Sequence, residues 1–294
     1  MKEFTNKVAV ITGAASGIGR GIANRAVKEG MKVVLADIEK EALKLTEEEL
    51  KKSGADIISV LIDVSKPKDM ENLAQKTIDT FGEVHLLCNN AGVAVPGYMW
   101  EYTLTDWEWV MGVNLWGVIH GIRVFTPIML KQDIKCHIIN TASIEGLISG
   151  VTESGIYSST KHAVVALSEA LRTNLMRINS KLKVSVLCPG FVNTKITDCE
   201  RNRPAELCGP DFEPRIEKFV RNHPEIENFV EQFKKTFEYS NSPDKVANIV
   251  FEAIKNELFY IFTDSGLMWK NLIKTRMEEI LKAFDENKPI IKSL

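Results

Sequence analysis

The chain contains 294 residues, of which 45% are hydrophobic and 26% are charged, and its formal net charge at pH 7 is -2. This composition is typical of a soluble globular protein with one large domain or two small domains. Because the net charge is small, it gives no general attraction to nucleic acid or to an anionic membrane. We therefore expect chemistry on a small molecule.

No segment is expected to direct the chain to a membrane or a secretory route. The apolar run near the N-terminus is too short for a secretory signal, and no stretch approaches the roughly 18 apolar residues that span a bilayer. The five cysteines are dispersed without C-x-x-C spacing, so we expect no metal site: Cys88, Cys136, Cys188, Cys199 and Cys208. Cys88, Cys136 and Cys188 lie in apolar strand-like runs and are expected to be buried thiols, which indicates a reducing, cytoplasmic location.

The first predicted element is a short strand, K-V-A-V-I-T at 7–12, which leads into Gly13, Gly17 and Gly19 and then a predicted helix. This order is the start of a dinucleotide-binding unit, because small residues let the backbone approach a pyrophosphate at the positive end of the helix. The spacing G-x-x-x-G-x-G differs from the commoner G-x-G-x-x-G. Glycines also form ordinary turns, so this motif alone leaves both interpretations open.

The second predicted strand, M-K-V-V-L-A-D, ends at Asp37. A carboxylate at this position can accept hydrogen bonds from the adenosine ribose hydroxyls and would repel a 2′-phosphate, which favours NAD over NADP. The alternative is that Asp37 caps the next predicted helix, since aspartate is a good N-cap residue.

Two more strands, at 55–64 and 84–92, alternate with predicted helices, one of which ends at Gly82. Nearly continuous apolar strands that alternate with helices predict a parallel sheet covered on both faces. Such sheets bind ligands beyond the carboxyl ends of the strands, where Asp63, Asn90 and Gly92 lie together with Gly13 and Asp37.

A long helix is predicted at about 105–130, with Asn114 in its apolar middle. An asparagine in such a position is either a hydrogen-bonded core residue or a functional one. A fifth strand then ends at Ser143, and a sixth runs into Pro189, Gly190 and Thr194.

Tyr157 and Lys161 are four residues apart in a segment with helical periodicity, which places both on one face. A fixed cation beside the phenol is expected to lower the tyrosine pKa and make Tyr157 a general acid or base. Taken alone, the same spacing also fits a surface tyrosine and a solvated lysine on an amphipathic helix.

The last third of the chain departs from this alternation. The segment 195–240 is rich in turn-forming residues and contains two short helical patterns. A helix capped near Ser242, with Pro243 in its first turn, follows. A strand at 257–264 and an amphipathic helix from about 267 to 284 complete the pattern.

Six motifs together resemble the compact, single-domain branch of the short-chain dehydrogenase/reductase family. They are T-G-A-A-S-G-I-G at 12–19, N-N-A-G at 89–92, Asn114, Ser143, Y-S-S-T-K at 157–161 and P-G-F-V-N-T at 189–194. The resemblance implies an α/β protein: a doubly wound Rossmann fold with about seven parallel strands and helices on both faces. We expect one domain over 1–294, with a substrate-lid insertion at 195–240 and a C-terminal helical tail at 265–294.

The resemblance also implies a catalytic tetrad of Asn114, Ser143, Tyr157 and Lys161. In the family, the tyrosine exchanges a proton with the substrate oxygen while a hydride moves between the carbinol carbon and the nicotinamide. The serine hydrogen-bonds that oxygen, the lysine holds the nicotinamide ribose and lowers the tyrosine pKa, and the asparagine fixes a water molecule. The implied cofactor-binding residues are Gly13, Ser16, Gly17, Ile18, Gly19, Asp37, Asp63, Val64, Asn90, Ala91, Gly92, Tyr157, Lys161, Pro189, Gly190, Val192 and Thr194.

These residues predict an oxidoreductase that transfers a hydride between NAD(H) and a hydrophobic secondary alcohol or ketone. The apolar character of the substrate is predicted from Val93, Val95, Tyr98, Met99, Trp100, Ile144, Leu147 and Phe191. Two alternatives are an NADPH enzyme similar to 3-oxoacyl carrier-protein reductase and a non-catalytic NAD-binding regulatory protein. We expect a homodimer or homotetramer, with dimerisation through the two long helices favoured because the last strand lacks a D-G-G ending.

Overall fold

The computed structural model describes residues 1–151, 153–208, 212–264 and 266–293. Within them are seven strands: β1 (Val8–Thr12), β2 (Lys32–Asp37), β3 (Ile57–Leu61), β4 (Leu86–Asn89), β5 (Cys136–Thr141), β6 (Leu182–Cys188) and β7 (Tyr260–Phe262). They form one parallel sheet in the order β3-β2-β1-β4-β5-β6-β7. The predicted α/β fold with about seven parallel strands is therefore confirmed.

The helices of the described residues lie between and after these strands. They are α1 (Gly17–Lys28), α2 (Lys40–Lys51), α3 (Pro67–Phe81), α4 (Leu104–Met111), α5 (Gly117–Lys131), α6 (Gly155–Arg177), α7 (Arg215–Asn222), α8 (Glu227–Glu238), α9 (Pro243–Lys255) and α10 (Leu267–Ser293). A π-helical turn, Gly112–Trp116, joins α4 to α5, and short 3₁₀ turns occupy Ile144–Gly146, Lys195–Asn202, Ala205–Leu207 and Pro224–Ile226.

Each face of the sheet carries its own hydrophobic core, as the strand periodicity requires. In β1, Val8 and Val10 belong to one core and Ala9 and Ile11 to the other, because successive side chains point to opposite faces. The first core contains residues of α3, α5 and α6, and the second contains residues of α1, α2 and α9. This arrangement explains why the strands are apolar along almost their whole length.

Two helix boundaries confirm predictions made from single residues. Gly82 ends α3 with φ of 79°, a left-handed conformation that favours glycine. The Ser242 hydroxyl accepts a hydrogen bond from the Lys245 backbone N–H at 3.3 Å, and Pro243 occupies the first helical position of α9.

The continuous helical run from 104 to 131 corrects one prediction. With a mean hydropathy of 1.3 over its most apolar window, it is long and apolar enough to cross a membrane, although no such stretch was expected. Core helices of globular proteins have the same property. Val118, Phe125 and Met129 of this run pack into the first core, against the sheet, so it serves here as a core helix.

The order in which strands are added to the parallel sheet reverses between β1 and β4, which are neighbours although two strands separate them in sequence. At such a switch point the loops after the two strands diverge to opposite faces and leave a crevice at their carboxyl ends. The glycine-rich turn after β1 and the N-N-A-G segment after β4 border that crevice.

The segment between β6 and α9 is anchored to the rest of the domain by a buried ion pair. Arg203, whose side chain is 3% exposed, contacts the Asp106 carboxylate at 2.6 Å and the Thr105 hydroxyl at 3.0 Å. The Glu200 carboxylate lies 3.9 Å from the same guanidinium. The Arg203–Asp106 contact holds the start of the segment against α4, because loss of Arg203 would leave the buried Asp106 carboxylate without its ion-pair partner.

Candidate active site

One cavity gathers nearly all of the predicted site residues. Its volume is about 280 Å³, and it extends from the glycine-rich turn to α7, α8 and α10. Every predicted catalytic and cofactor-binding residue lines it except Gly19 and Asn114, which lie directly behind its wall.

The glycine-rich turn has the shape that close approach to an anion requires. Gly13 and Gly17 have φ angles of 65° and 52°, and a Cβ on Gly19 would lie 2.0 Å from the Gly13 carbonyl oxygen. The Ser16 side chain makes no capping hydrogen bond to α1. The positive end of α1 therefore remains available to a phosphate group.

Asp37 closes the far end of the cavity. Its carboxylate is 8% exposed and accepts hydrogen bonds from the backbone N–H groups of Ala15 at 2.8 Å and Glu39 at 3.0 Å. Burial raises the pKa of this carboxyl, against the effect of those two hydrogen bonds. Because α2 begins at Lys40 and its N-cap residue is Glu39, the alternative role of Asp37 as helix cap is wrong.

Thr12 begins the T-G-A-A-S-G-I-G motif but was given no role by the sequence analysis, although it organises the loop after β4. Its hydroxyl accepts hydrogen bonds from the backbone N–H groups of Asn90 at 2.9 Å and Ala91 at 3.1 Å, and it donates to the Cys88 carbonyl. The Asn90 side chain donates to the Thr12 carbonyl at 3.0 Å. The sequence feature that could have indicated its role is the position of Thr12 as the last residue of β1, next to Gly13.

Asn114 is fully buried inside the π-helical turn. Its amide oxygen accepts from the Val93 N–H at 2.8 Å, and its amide nitrogen donates to the Val93 carbonyl at 2.8 Å and to the Thr160 hydroxyl at 3.2 Å. π turns are frequent at functional sites. Asn114 thus connects the loop after β4 to α6, while its role in fixing a water stays a prediction.

Ser143 and Tyr157 come together at the centre of the cavity. Ser143 follows β5 and precedes the 3₁₀ turn, where its hydroxyl accepts from the Glu145 N–H at 3.2 Å. Tyr157 lies in the first turn of α6, and Ser143 is close enough to its phenol to favour the phenolate and so to lower the phenol pKa. Two hydroxyl groups from different elements therefore converge on one point of the cavity.

Lys161 is 2% exposed, so it is not the solvated lysine of the alternative interpretation. Its ammonium donates a hydrogen bond to the Thr141 carbonyl at 2.9 Å and lies 5.4 Å from the centre of the Tyr157 ring. Burial lowers the pKa of Lys161 to about 8. Thr141 was not identified from the sequence, because its contribution is a backbone carbonyl.

The pKa of Tyr157 departs from the expectation. Burial raises it above the ordinary value, the nearby Ser143 side chain opposes this, and the nearby Glu145 carboxyl raises it further. The predicted net lowering of the Tyr157 pKa is therefore wrong for this structure, because the loss of solvation is the largest influence on it. The phenol is protonated at neutral pH.

Glu145 is a second residue that the sequence analysis missed. It is 2% exposed, lines the cavity and accepts a hydrogen bond from the Ser158 hydroxyl. The visible signal was an acidic residue within an otherwise apolar segment, I-E-G-L-I, directly after Ser143.

The remaining wall of the cavity is mainly apolar. It includes Val93, Ile144 and Phe191, as predicted. Further apolar residues come from the segment before α6, from the segment 195–240 and from α10: Val151, Ile216, Phe219, Ile226, Phe237 and Trp269. Val95, Tyr98, Met99, Trp100 and Leu147 were predicted to line it but do not. The Tyr98 ring instead packs edge-on against Phe219 and His223, which fastens α7 to the loop after β4.

A strap, defined as the 3₁₀ segment Lys195–Asn202, crosses the cavity. At its start, Thr194 lies beside Gly17, and a Cβ on Gly17 would be 3.0 Å from the Thr194 methyl group. At its end, Arg201 and Asn202 bind the Glu39 carboxylate at 2.5 Å and 2.9 Å. The strap therefore touches both ends of the groove between the glycine-rich turn and Asp37.

Comparison with known proteins identifies the family. The family model described as short chain dehydrogenase matches residues 7–205. The chain belongs to the short-chain dehydrogenase/reductase family. It is an oxidoreductase, and the predicted family is confirmed.

Relatives of this short-chain dehydrogenase/reductase match almost the whole chain. The CLA biosynthesis dehydrogenase/reductase of Lactiplantibacillus plantarum is 36% identical over 283 residues, 96% of this chain and 95% of the relative. The 1-deoxy-11-beta-hydroxypentalenate dehydrogenase of Streptomyces exfoliatus is 32% identical over 90% of this chain and 85% of its own length.

A solved structure shares the complete fold. The short-chain dehydrogenase/reductase of Burkholderia phymatum, determined in complex with NAD, is 41% identical, with a TM-score of 0.87 over 96% of this chain and 97% of that one. With 96% of this chain covered, the similarity extends into the segment 195–240 and the tail at 265–294.

Proposed function

We propose that the protein is an NAD-dependent dehydrogenase or ketone reductase for a hydrophobic secondary alcohol or ketone, with Tyr157 as the general acid and base. The observation that carries this proposal is that Ser143 and Tyr157, with the Lys161 ammonium 5.4 Å from the Tyr157 ring centre, line the cavity that also contains the glycine-rich turn and Asp37. The residues proposed for proton transfer and those proposed for cofactor binding therefore line the same cavity.

The cavity residues fit a nicotinamide dinucleotide. The glycines provide close access to the start of α1 for a pyrophosphate, and the Asp37 carboxylate at the end of β2 suits ribose hydroxyls but not a 2′-phosphate. The similar Burkholderia protein was solved with NAD. When bound, the nicotinamide supplies or accepts the hydride.

The residues of this chain transfer the proton and stabilise the charge that its transfer leaves on Tyr157. In reduction, the protonated Tyr157 phenol donates to the carbonyl oxygen of the substrate, and the Ser143 hydroxyl holds that oxygen by a hydrogen bond. In oxidation, the same phenol must first lose its proton and then act as the base. Lys161, held by the Thr141 carbonyl, places a positive charge below the Tyr157 ring and stabilises the phenolate that forms.

The substrate end of the cavity favours an apolar compound. Phe191, Phe219 and Trp269 enclose this end, and Glu145 and Glu200 are carboxyl groups that would repel an anionic substrate. The Streptomyces relative is named for a hydroxypentalenate and others for diacetyl, so substrates within the family differ in size. A mostly apolar wall supports a hydrophobic ketone or alcohol here.

The test is the replacement Tyr157→Phe. The variant should lose about 10²–10⁴-fold in kcat for hydrophobic ketones, the usual contribution of a general acid, while its Kd for NADH stays within about twofold. Turnover is followed at the NADH absorbance over a panel of ketones and secondary alcohols. Undiminished kcat in the variant would exclude the proposed mechanism.

The two alternatives give different results in the same experiments. An NADPH enzyme similar to 3-oxoacyl carrier-protein reductase would prefer NADPH from the start, which the Asp37 carboxylate disfavours. A non-catalytic NAD-binding protein would bind NADH without turnover of any compound. The complete set of Asn114, Ser143, Tyr157 and Lys161 disfavours this second alternative.

We further propose that the enzyme acts in the cytoplasm as a homodimer or homotetramer that forms through α5 and α6. The five cysteines are free thiols, and four of them are buried, which suits a reducing compartment. Trp116 at the start of α5 and Met176 at the end of α6 are half exposed or more, which suits a contact between subunits. The lid role of 195–240 is part of the same proposal.

A further inference from the structure

The first turns of α10 supply one wall of the cavity. Trp269 is 8% exposed, lines the cavity and packs with Ile144 and Ile148 in a small hydrophobic cluster. Further along the helix, the Arg276 guanidinium donates a hydrogen bond to the Leu147 carbonyl at 3.2 Å. The start of α10 is therefore fixed against the segment that follows β5.

The Trp269 indole is held in place by a hydrogen bond and by close packing. Its Nε1–H donates to the Asp264 carboxylate at 3.1 Å, and the other oxygen of that carboxylate accepts from the Gly266 backbone N–H at 3.0 Å. A Cβ on Gly190 would lie 2.6 Å from the Asp264 carboxylate and 3.1 Å from the indole nitrogen. The position of the indole is therefore fixed relative to the turn after β6, one of the segments predicted to hold the cofactor.

Three aromatic side chains from separate segments continue this wall. The aromatic partition comprises Phe191 after β6, Phe237 of α8 and Trp269 of α10, and all three line the cavity. The centre of the Phe191 ring lies 5.5 Å from that of Trp269 and 5.2 Å from that of Phe237, both in edge-on contact.

A surface groove lies on the other side of the aromatic partition. Its lining includes Phe191 and Asp264 together with polar residues of α8 and of the turn after it, among them Thr236 and Asn241. Phe191 borders both spaces, while Trp269 faces the cavity and its partner Asp264 faces the groove. The wall between the cavity and the groove is therefore thin at this place.

Trp269 is the largest of the three rings, and its hydrogen bond to Asp264 reaches from the cavity side of the wall to the groove side. Truncation of Trp269 would therefore remove both the ring and this contact, and would open the cavity towards the groove. Trp269 also lies beyond residues 7–205, the part of the chain that the family model matches.

From these contacts we propose that Trp269 limits the length of the apolar group that the substrate can carry, and that Asp264 is a positioning residue that holds the indole across the pocket. The inference rests on the proposed function, the reduction of hydrophobic ketones. A short apolar group fits in front of the indole, whereas a long unbranched chain collides with it.

A series of methyl ketones from butanone to tetradecanone, followed at the NADH absorbance, tests this limit. In Trp269→Ala, the ratio of kcat/KM for tetradecanone to that for butanone should exceed the wild-type ratio by about tenfold or more, since space for a single methylene already has an effect of this size. The gain should come mainly from a lower KM for the long ketone, because the collision weakens binding of ground state and transition state alike. Trp100→Ala, at an indole that is 82% exposed, is the matched control and should keep the wild-type ratio.

Asp264→Ala is a second variant, which leaves the hydrophobic cluster around Trp269 intact if Trp269→Ala fails to fold. It releases the indole and should raise the same ratio, by less than Trp269→Ala does. A wild-type ratio in every folded variant, with butanone still reduced, would overturn the length limit and leave the proposed function in place. Failure of the wild type to reduce any member of the series would instead contradict the proposed function, and the length limit would fall with it.

Discussion

The Arg201 guanidinium and the Glu39 carboxylate, 162 positions apart in the chain, form an ion pair of 2.5 Å that fastens the strap over the cavity. Arg201 also donates to the Lys195 and Asp198 carbonyls, which holds together the two parts of the strap on either side of its kink at Asp198. Because Glu39 lies two residues after Asp37, the pair closes the end of the groove where we place the adenosine.

The first prediction concerns release of the cofactor. Arg201→Met should increase the NADH dissociation rate about fivefold, since about 1 kcal/mol is the upper end for ion pairs near a surface. Stopped-flow fluorescence of NADH measures this rate. Arg123→Met is the matched control, because Arg123 forms a 2.7 Å pair with Glu71 far from the cavity. If both variants release NADH at the wild-type rate, the strap does not retain the cofactor.

The second prediction concerns pH. Lys161 has a pKa of about 8, below its ordinary value of 10.5, so it carries its charge below pH 8 and loses it above. The kcat/KM for ketone reduction should therefore fall as the pH rises through about 8. Alcohol oxidation should instead rise with pH, because the raised pKa of Tyr157 keeps the phenol protonated at neutrality.

Stability provides an independent check of the Lys161 pKa. Between pH 8 and 10, the unfolded chain binds a proton at Lys161 that the folded chain has lost, so the free energy of unfolding should increase with pH. Urea denaturation of the wild type and of Lys161→Met measures the difference. Parallel pH profiles for the two proteins would contradict a lowered pKa.

The third prediction concerns Glu145. Glu145→Gln removes a charge that raises the pKa of Tyr157 and keeps an acceptor for the Ser158 hydroxyl. The pH profile of alcohol oxidation should move to lower pH, because removal of a neighbouring negative charge favours the phenolate. Glu153→Gln, at an exposed residue of the same cavity, is the control and should leave the profile in place. An unmoved profile in Glu145→Gln would contradict a direct effect.

The fourth prediction concerns the choice of cofactor. Asp37→Asn removes the carboxylate charge but keeps an acceptor for the Ala15 N–H. The ratio of kcat/KM with NADH to that with NADPH should fall at least tenfold, mostly through KM. A wild type that already prefers NADPH would refute the assignment of Asp37.

Much of the fold and the site was predictable because the signals are local. Glycine spacing at 13–19, the Tyr157–Lys161 interval and the alternation of strands and helices are short-range patterns, and each is confirmed as a structural element or as part of one cavity. Helix ends at Gly82 and Ser242 depend on a single residue each, so they were also readable from the sequence.

Tertiary structure alone decided the chemistry around those residues. The Thr141 carbonyl that holds Lys161, the burial that raises the Tyr157 pKa and the Glu39–Arg201 pair all depend on which distant elements pack together. Tyr98 and Met99 were predicted to line the cavity, but the loop after β4 turns them away from it. Periodicity in the sequence identifies which face of a helix or strand is buried. Which side chains that face contacts, and how much solvation its titratable groups lose, are determined by packing between segments far apart in the chain.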